Sequence, residues 1–154
     1  MKKISNFVQV RADGKLVPAS MTVNEMLSLG WTPSKVTGLR WRNDSTVVGF
    51  EWPQGVHAVV VPGENFVAAI LDGNESDADS RLVVLSTDGS VHGNVESCLS
   101  ASGVDLEGHY SWFEPAMEPE IDKFGAVFQD KGGSLFRCDI DARQAMLLKI
   151  LPIR

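Results

Sequence analysis

The stretch FGAVFQDKGGSLFRCDIDARQAMLLKI, from Phe124 to Ile150, has the clearest pattern in the chain. Two tight-turn sequences, QDKGGS and DARQ, separate three apolar runs. In the middle run, near-alternation places Phe136, Cys138 and Ile140 on one face. Apolar runs of this length joined by tight turns are typical of antiparallel strands. The stretch therefore predicts a three-stranded meander at the C-terminal edge of a larger antiparallel sheet.

The rest of the chain repeats this organisation in a coarser form. Turn sequences such as Asp13-Gly14 and Asp88-Gly89 lie between short apolar runs, which is a strong hairpin signal because these turns need residues that tolerate positive φ. The predicted hairpins are 4–11 with 15–18, 36–42 with 46–52, 56–61 with 66–71, and 82–85 with 91–95. The third pair is apolar on both faces, which predicts central strands that are covered on both sides. We expect a loop over 97–108 and one more strand over 109–113.

One helix is expected, at the sequence Thr22-Val23-Asn24-Glu25. This is a capping box, in which Thr22 and Glu25 satisfy each other's backbone amides. An apolar stripe of Val23, Met26 and Leu27 follows, and Gly30 stands where a helix ends. Because two turns are unstable alone, we expect this stripe to pack on a sheet.

These elements predict a mainly β fold: a single β-rich domain over residues 1–154, built as an antiparallel meander or sandwich of about eleven short strands with one short helix. The alternative is a small or partial β-propeller. Hairpin turns near Asp44, Asp88 and Lys131 recur at the length of a propeller blade. The segment 124–150 also resembles a blade of that family.

Charge is distributed unevenly along the chain. The net charge is −6, and residues 43–154 carry 18 Asp and Glu against seven Lys and Arg. An acidic surface of this kind favours a cationic partner and makes nucleic acid an unlikely ligand. A second interpretation, in which Trp31, Trp41 and Trp52 stack single-stranded nucleic acid, depends on few cations. We expect Trp41 and Trp52 to lie in the core instead.

The sequence carries no signal for membranes or export. No run approaches 18 apolar residues, and no apolar segment follows the basic start. We therefore expect a cytoplasmic protein without a membrane partner. In that compartment Cys98 and Cys138 are expected to be reduced, although their pairing is left open.

No motif for catalysis, metals or cofactors is present. The three histidines and two cysteines have no short ligand spacing, and Asp72-x-Asn74-x-Ser76 lacks the later residues of a calcium loop. We therefore expect no catalytic residues, no metal and no cofactor, which favours a protein that is not an enzyme. The alternative is a small-ligand-binding or hydrolytic β domain with a pocket at one end of the sheet, lined by His57 (expected to be partly buried), His109, Trp112 or Tyr110.

Two acidic loops are the candidate partner-binding surfaces. Aromatic residues beside carboxylates suit a basic partner, because rings supply buried area and carboxylates pair with Lys or Arg. The candidate residues are Asp72, Glu75, Asp77, Asp79, Tyr110, Trp112, Glu114, Glu118, Glu120 and Asp122. We therefore expect a non-enzymatic binding protein, by analogy of size and charge an acidic immunity or inhibitor protein that occludes the active site of a basic toxin. The identity of the partner and the oligomeric state are left open.

Overall fold

Thirteen strands and one short helix make up the described part of the chain. The computed structural model describes residues 3–73, 80–101 and 104–153. The strands form three antiparallel sheets, each built from a continuous part of the sequence. The expected mainly β, antiparallel architecture with one short helix is confirmed.

The three sheets follow one another along the chain. The first has the order β2-β1-β3-β4 and contains β1 (Ile4–Arg11), β2 (Leu16–Pro18), β3 (Val36–Asn43) and β4 (Thr46–Glu51). The middle sheet is a meander of β5 (Val56–Val60), β6 (Val67–Leu71), β7 (Arg81–Leu85) and β8 (Val91–Val95). The third is a meander of β9 (Cys98–Ala101), β10 (Val104–Glu114), β11 (Lys123–Asp130), β12 (Leu135–Asp141) and β13 (Met146–Pro152).

The middle sheet is covered on both faces. Side chains alternate along a strand, so Ile70 of β6 packs with the third sheet while its neighbour Leu71 packs with the first. Strand β7 behaves in the same way with Val84 and Val83. The central position predicted for 66–71 is confirmed, whereas 56–61 forms an edge strand. The fold is thus a stack of three sheets with two hydrophobic cores.

The predicted hairpins form with their turns where expected. Gly14 and Gly89 both adopt φ of +87°, which a residue with a side chain rarely tolerates. The C-terminal meander also forms as predicted, with β13 at the edge of its sheet. The loop expected over 97–108 is wrong, because β9 and the first half of β10 pair across this region.

Helix α1 (Val23–Ser28) has the expected ends but not the expected packing. The Glu25 amide donates to the Thr22 hydroxyl at 3.2 Å, and Gly30 has φ of +75°. The second half of the predicted capping box differs, because the Glu25 carboxylate accepts from the Thr22 hydroxyl at 3.4 Å and not from the Thr22 amide. None of its residues is buried, and Leu27 is 64% exposed. The expectation that its apolar stripe packs on a sheet is wrong, since short capped turns hold the helix without core contacts.

No helix among the described residues is long and apolar enough to span a bilayer.

Candidate partner-binding surface

A β-bulge in β10 brings Trp112 to the outer face of the third sheet. Tyr110 pairs with Phe128 and Trp112 pairs with Val127, so Ser111 is an extra residue in the ladder. The extra residue reverses the alternation that follows. Trp112 is therefore 44% exposed, while Phe113 packs against the core.

Trp112 and Glu114 form a pair at the end of this strand. The indole Nε1 of Trp112 donates to Oε1 of Glu114 at 3.0 Å. Tyr110 lies on the opposite face, where it is 3% exposed and its hydroxyl donates to the Glu96 carbonyl. Tyr110 is thus a core residue, and Trp112 alone supplies the exposed aromatic ring that was predicted beside the carboxylates.

The acidic segment that follows, residues 115–121, is called the proline loop here. It folds back over the outer face of the third sheet, where Asp139 of β12 holds it. The fully buried Asp139 carboxylate accepts the backbone amides of Met117 at 2.8 Å and Glu118 at 3.1 Å. The ammonium group of Lys123 lies 3.6 Å from the same carboxylate. A charged acceptor with two amide donors and a cation fixes the middle of the loop firmly.

Both ends of the proline loop are fixed as well. Arg137 donates to the Pro115 carbonyl at 2.7 Å, and that carbonyl lies so near Gly125 that a Cβ there would be 2.7 Å away. At the other end, Asp122 is 3% exposed, and it accepts from Arg143 at 2.6 Å and from Asn65 at 3.1 Å. Asp122 therefore closes the loop and is not exposed to a partner.

The exposed carboxylates of this surface differ in whether a nearby cation compensates their negative charge. Glu118 lies 3.4 Å from Lys149 and 3.7 Å from Lys123. Glu114 and Glu120 are exposed and have no cationic partner within the described residues. These two carboxylates therefore carry the negative charge that remains available to another molecule.

An apolar cleft opens beside Glu114. It has a volume of about 360 Å³ and lies between the edge strand β5 and the proline loop. Phe113 and Phe124, which make an edge-on ring contact at 5.9 Å, line its inner side. The other lining residues are Val59, Val60, Pro62, Glu114, Pro115, Ala116, Pro119 and Lys123. A preformed, largely apolar concavity of this size is suited to bind an apolar side chain.

The first acidic loop is only partly described. Asp72 is partly exposed, and its carboxylate lies 4.0 Å from His57 Nε2. Glu75, Asp77 and Asp79 lie outside the described residues. Asp72 directly follows β6 of the middle sheet, so it is on a different element from the proline loop.

The residues proposed for the ligand pocket are dispersed. His57 is exposed on β5 of the middle sheet, so the prediction that it is a partly buried residue is wrong. His109 is on β10 of the third sheet, and His92 contacts the Arg143 carbonyl. In the described part of the chain, no three His, Cys, Asp or Glu side chains are grouped for metal binding.

Two groups in the core beneath this surface have perturbed acidity. Burial, followed by the negative charge of Asp139, raises the pKa of the Cys138 thiol to about 12. Burial is also the main cause that raises the pKa of Tyr110 above its usual value. Cys138 is a free thiol, whereas the side chain of Cys98 lies outside the description. Both perturbed groups are thus structural and unreactive near neutral pH.

Two of the three tryptophans of the basic N-terminal region, Trp41 and Trp52, are packed against the core and not presented for stacking nucleotides, whereas Trp31 is partly exposed beneath Arg11 and Lys15. Trp41 is 1% exposed, and its Nε1 donates to the Thr87 carbonyl. Trp52 donates to the Asp72 carbonyl, and the Arg81 guanidinium covers its ring. The prediction that Trp41 lies in the core is confirmed, and Trp52 packs against the same core.

One solved structure contains a chain that resembles this protein over nearly its whole length. It is the structure of Tne2 in complex with Tni2, and the match has a TM-score of 0.90 and 31% sequence identity. The alignment covers 98% of this chain and 99% of the matched chain. This chain belongs to the same family as that matched chain. No family model and no curated protein matched the sequence.

The three-sheet stack is the fold that this chain shares with the matched chain. The matched chain was solved together with a second protein. A surface with a fixed loop, an exposed tryptophan, two uncompensated carboxylates and an apolar cleft is the kind that a protein partner binds. The family relationship and the composition of the surface therefore both favour protein–protein binding.

Proposed function

We propose that this protein is an immunity protein, which binds a toxin and blocks its active site. The observation that carries the proposal is the family relationship, because the matched chain comes from a complex of Tne2 with Tni2, a toxin–immunity pair. The presence of a second protein in the matched structure supports the expected protein partner. We further propose that the toxin is basic, that this protein is cytoplasmic and that the residues named below make the contact.

The binding surface is assigned to Trp112, Glu114, Glu118 and Glu120 with the cleft beside them. Asp72 of the first acidic loop is a further candidate on a separate element, whereas Tyr110 and Asp122 are buried beneath the surface. Two observations favour this site. The proline loop is held in one conformation, so little conformational entropy is lost on binding. Glu114 and Glu120 are exposed carboxylates that attract a positively charged surface over several ångströms.

The test uses Tne2 of the matched complex, together with any candidate toxin encoded by a gene next to this protein's own. Co-expression should rescue cells from that toxin, and titration calorimetry should detect a complex that weakens as salt is added. Replacing Glu114 and Glu120 by Lys should weaken the complex at least tenfold, mainly by slowing association. The matched control is Glu51→Lys, an exposed glutamate on β4 of the first sheet.

The outcomes separate the parts of the proposal. Absence of both rescue and binding would contradict the immunity function. If the protein with both Glu114 and Glu120 replaced by Lys still rescues cells and binds with unchanged affinity, the interface lies elsewhere on the molecule.

A further inference from the structure

We propose that an extended, apolar segment of the toxin adds to the edge of the middle sheet as a further strand beside β5. This inference rests on the proposed function and names the part of the partner that this side of the molecule binds. Two observations carry it: the outward-facing backbone groups of β5, and the apolar cleft that lies beside this strand.

The hydrogen bonds at the two ends of β5 show which of its backbone groups face away from the sheet. β5 is the edge strand of the middle sheet and pairs with β6. The Val61 amide donates to the Phe66 carbonyl, and the Asp72 amide donates to the Gly55 carbonyl, both at 2.9 Å. In an antiparallel pair, every second residue exchanges hydrogen bonds with the neighbouring strand. The odd-numbered residues of β5 therefore face β6, and the backbone groups of the even-numbered residues point outward.

Ala58 and Val60 are the outward-facing residues of β5 that are partly exposed. Their side chains pack against the core beneath the first sheet, so the strand itself is fixed. Within the described part of the chain, no hydrogen bond engages the backbone amide or carbonyl of either residue. Such a row of donors and acceptors at a sheet edge is a template on which an extended segment of another protein pairs as a new strand.

The cleft beside β5 favours an apolar side chain from that segment. Its walls are mostly apolar side chains of β5, of the third sheet and of the proline loop. The two charged residues that line it have partners of their own. Lys123 lies 3.6 Å from the buried carboxylate of Asp139, and Glu114 accepts from the Trp112 indole at 3.0 Å. An uncharged aliphatic or aromatic side chain is therefore the complement of this concavity.

The cleft is continuous with the proposed binding surface, because the proline loop forms its far wall. A toxin side chain that enters the cleft brings its own backbone over the edge of β5. Covering amides and carbonyls without giving them partners costs free energy. An extended segment pairs with these groups and places alternate side chains on the side of the cleft, whereas a helix leaves them unpaired. The occupant is therefore an extended segment.

Amide exchange in the unchanged protein tests strand addition, with Tne2 or the neighbouring-gene toxin as the partner. Exchange at Ala58 and Val60 should be at least tenfold slower in the complex, because amides paired in a sheet are protected. The comparison is the Val47 amide of the edge strand β4. The Trp52 amide donates to the Thr37 carbonyl at 2.8 Å, and this register turns the Val47 amide outward as well. Its exchange should not change.

A proline substitution tests the contribution of the outward amide to affinity. Val60→Pro removes a hydrogen-bond donor that the middle sheet itself does not use, and proline is tolerated where an edge amide faces solvent. This variant should weaken toxin binding at least tenfold. Val47→Pro makes the equivalent change on the first sheet and should bind like the unchanged protein. If Val60→Pro proves too unstable to measure, the exchange experiment decides the matter.

The failures are distinguishable. If the unchanged protein binds neither toxin, the proposed function is wrong. If it binds one, but exchange at Ala58 and Val60 does not slow, the function stands and strand addition is overturned. Slower exchange together with normal binding by Val60→Pro overturns it too, since the amides are then covered without being paired. Protection that appears in the free protein as its concentration rises would make a second copy of this chain the occupant, which also overturns the inference.

Discussion

Asp139 is the residue on which the candidate surface most depends. It is fully buried, and its two oxygens accept two amides of the proline loop. A buried carboxylate in such a setting stabilises the fold only because every partner is present. The conformation of the middle of the proline loop thus depends on a side chain that no partner can touch.

Replacing Asp139 by Ala should lower the free energy of unfolding by about 3–5 kcal/mol, because Lys123 and two amides lose a buried partner. Urea denaturation measures the loss, and amide exchange should accelerate at Met117 and Glu118. The control is Glu120→Ala in the same loop, which should change the stability by no more than about 0.5 kcal/mol. Unchanged exchange at both amides would contradict the role assigned to Asp139.

Cys138 makes the stability fall at alkaline pH. Its pKa is raised to about 12 in the fold, whereas the unfolded thiol ionises near 9.0. Between these values the folded state binds more protons than the unfolded state, so the free energy of unfolding decreases as pH rises. One group contributes a slope of at most about 1.4 kcal/mol per pH unit. The buried Tyr110 adds to the fall in the same direction, above its usual pKa of 10.0.

Urea denaturation between pH 8 and 10.5 measures this decrease in the free energy of unfolding. The measurements use a Cys98→Ser background, so that Cys138 is the one remaining thiol. Cys138→Ala should flatten the alkaline fall. An identical pH profile for both proteins would show that this thiol does not titrate on unfolding.

At the scale of the elements, regular patterns could be predicted and departures from them could not. Alternation and turn sequences are local properties, so the hairpins and the C-terminal meander followed from the sequence. The bulge at Ser111 is decided by how β10 pairs with β11, and strict alternation would have placed Tyr110 and Trp112 on one face. Alternation along β12 puts Asp139 on the face opposite Cys138, but its burial depends on a loop some twenty residues earlier.

Helix α1 is the element whose packing the sequence misrepresents most. Its stripe is amphipathic, yet the capping box and the glycine end suffice to hold six residues at the surface. Leu27→Ser should therefore change the free energy of unfolding by no more than about 0.5 kcal/mol. The comparison is Leu39→Ala in β3, a residue that is 2% exposed and should cost about 2–5 kcal/mol.

Thermal and urea denaturation of both variants provide the measurement. A loss of more than about 2 kcal/mol for Leu27→Ser would mean that the helix is packed against the sheets in solution.

For the whole molecule, the shared middle sheet should make unfolding a single event. Ile70 belongs to one core and Leu71 to the other, and each is 2% exposed. Either residue replaced by Ala should cost about 2–5 kcal/mol. Because β6 contributes to both cores, the first and third sheets should lose protection in the same transition in either variant. Hydrogen exchange of the amides in these two sheets measures this. Two separate transitions in either variant would show that the cores are independent.

The order of the three sheets along the chain has a consequence during protein synthesis. The first two sheets are complete once Val95 has been made, but one face of the middle sheet then lacks its cover. The remaining strands take on the order of seconds to be translated. Trp112 and the whole proline loop belong to this last portion. An interrupted chain would therefore expose an apolar face and lack Trp112 and the proline loop. Under the proposed function, toxin binding would begin only when the third sheet has closed over the middle sheet.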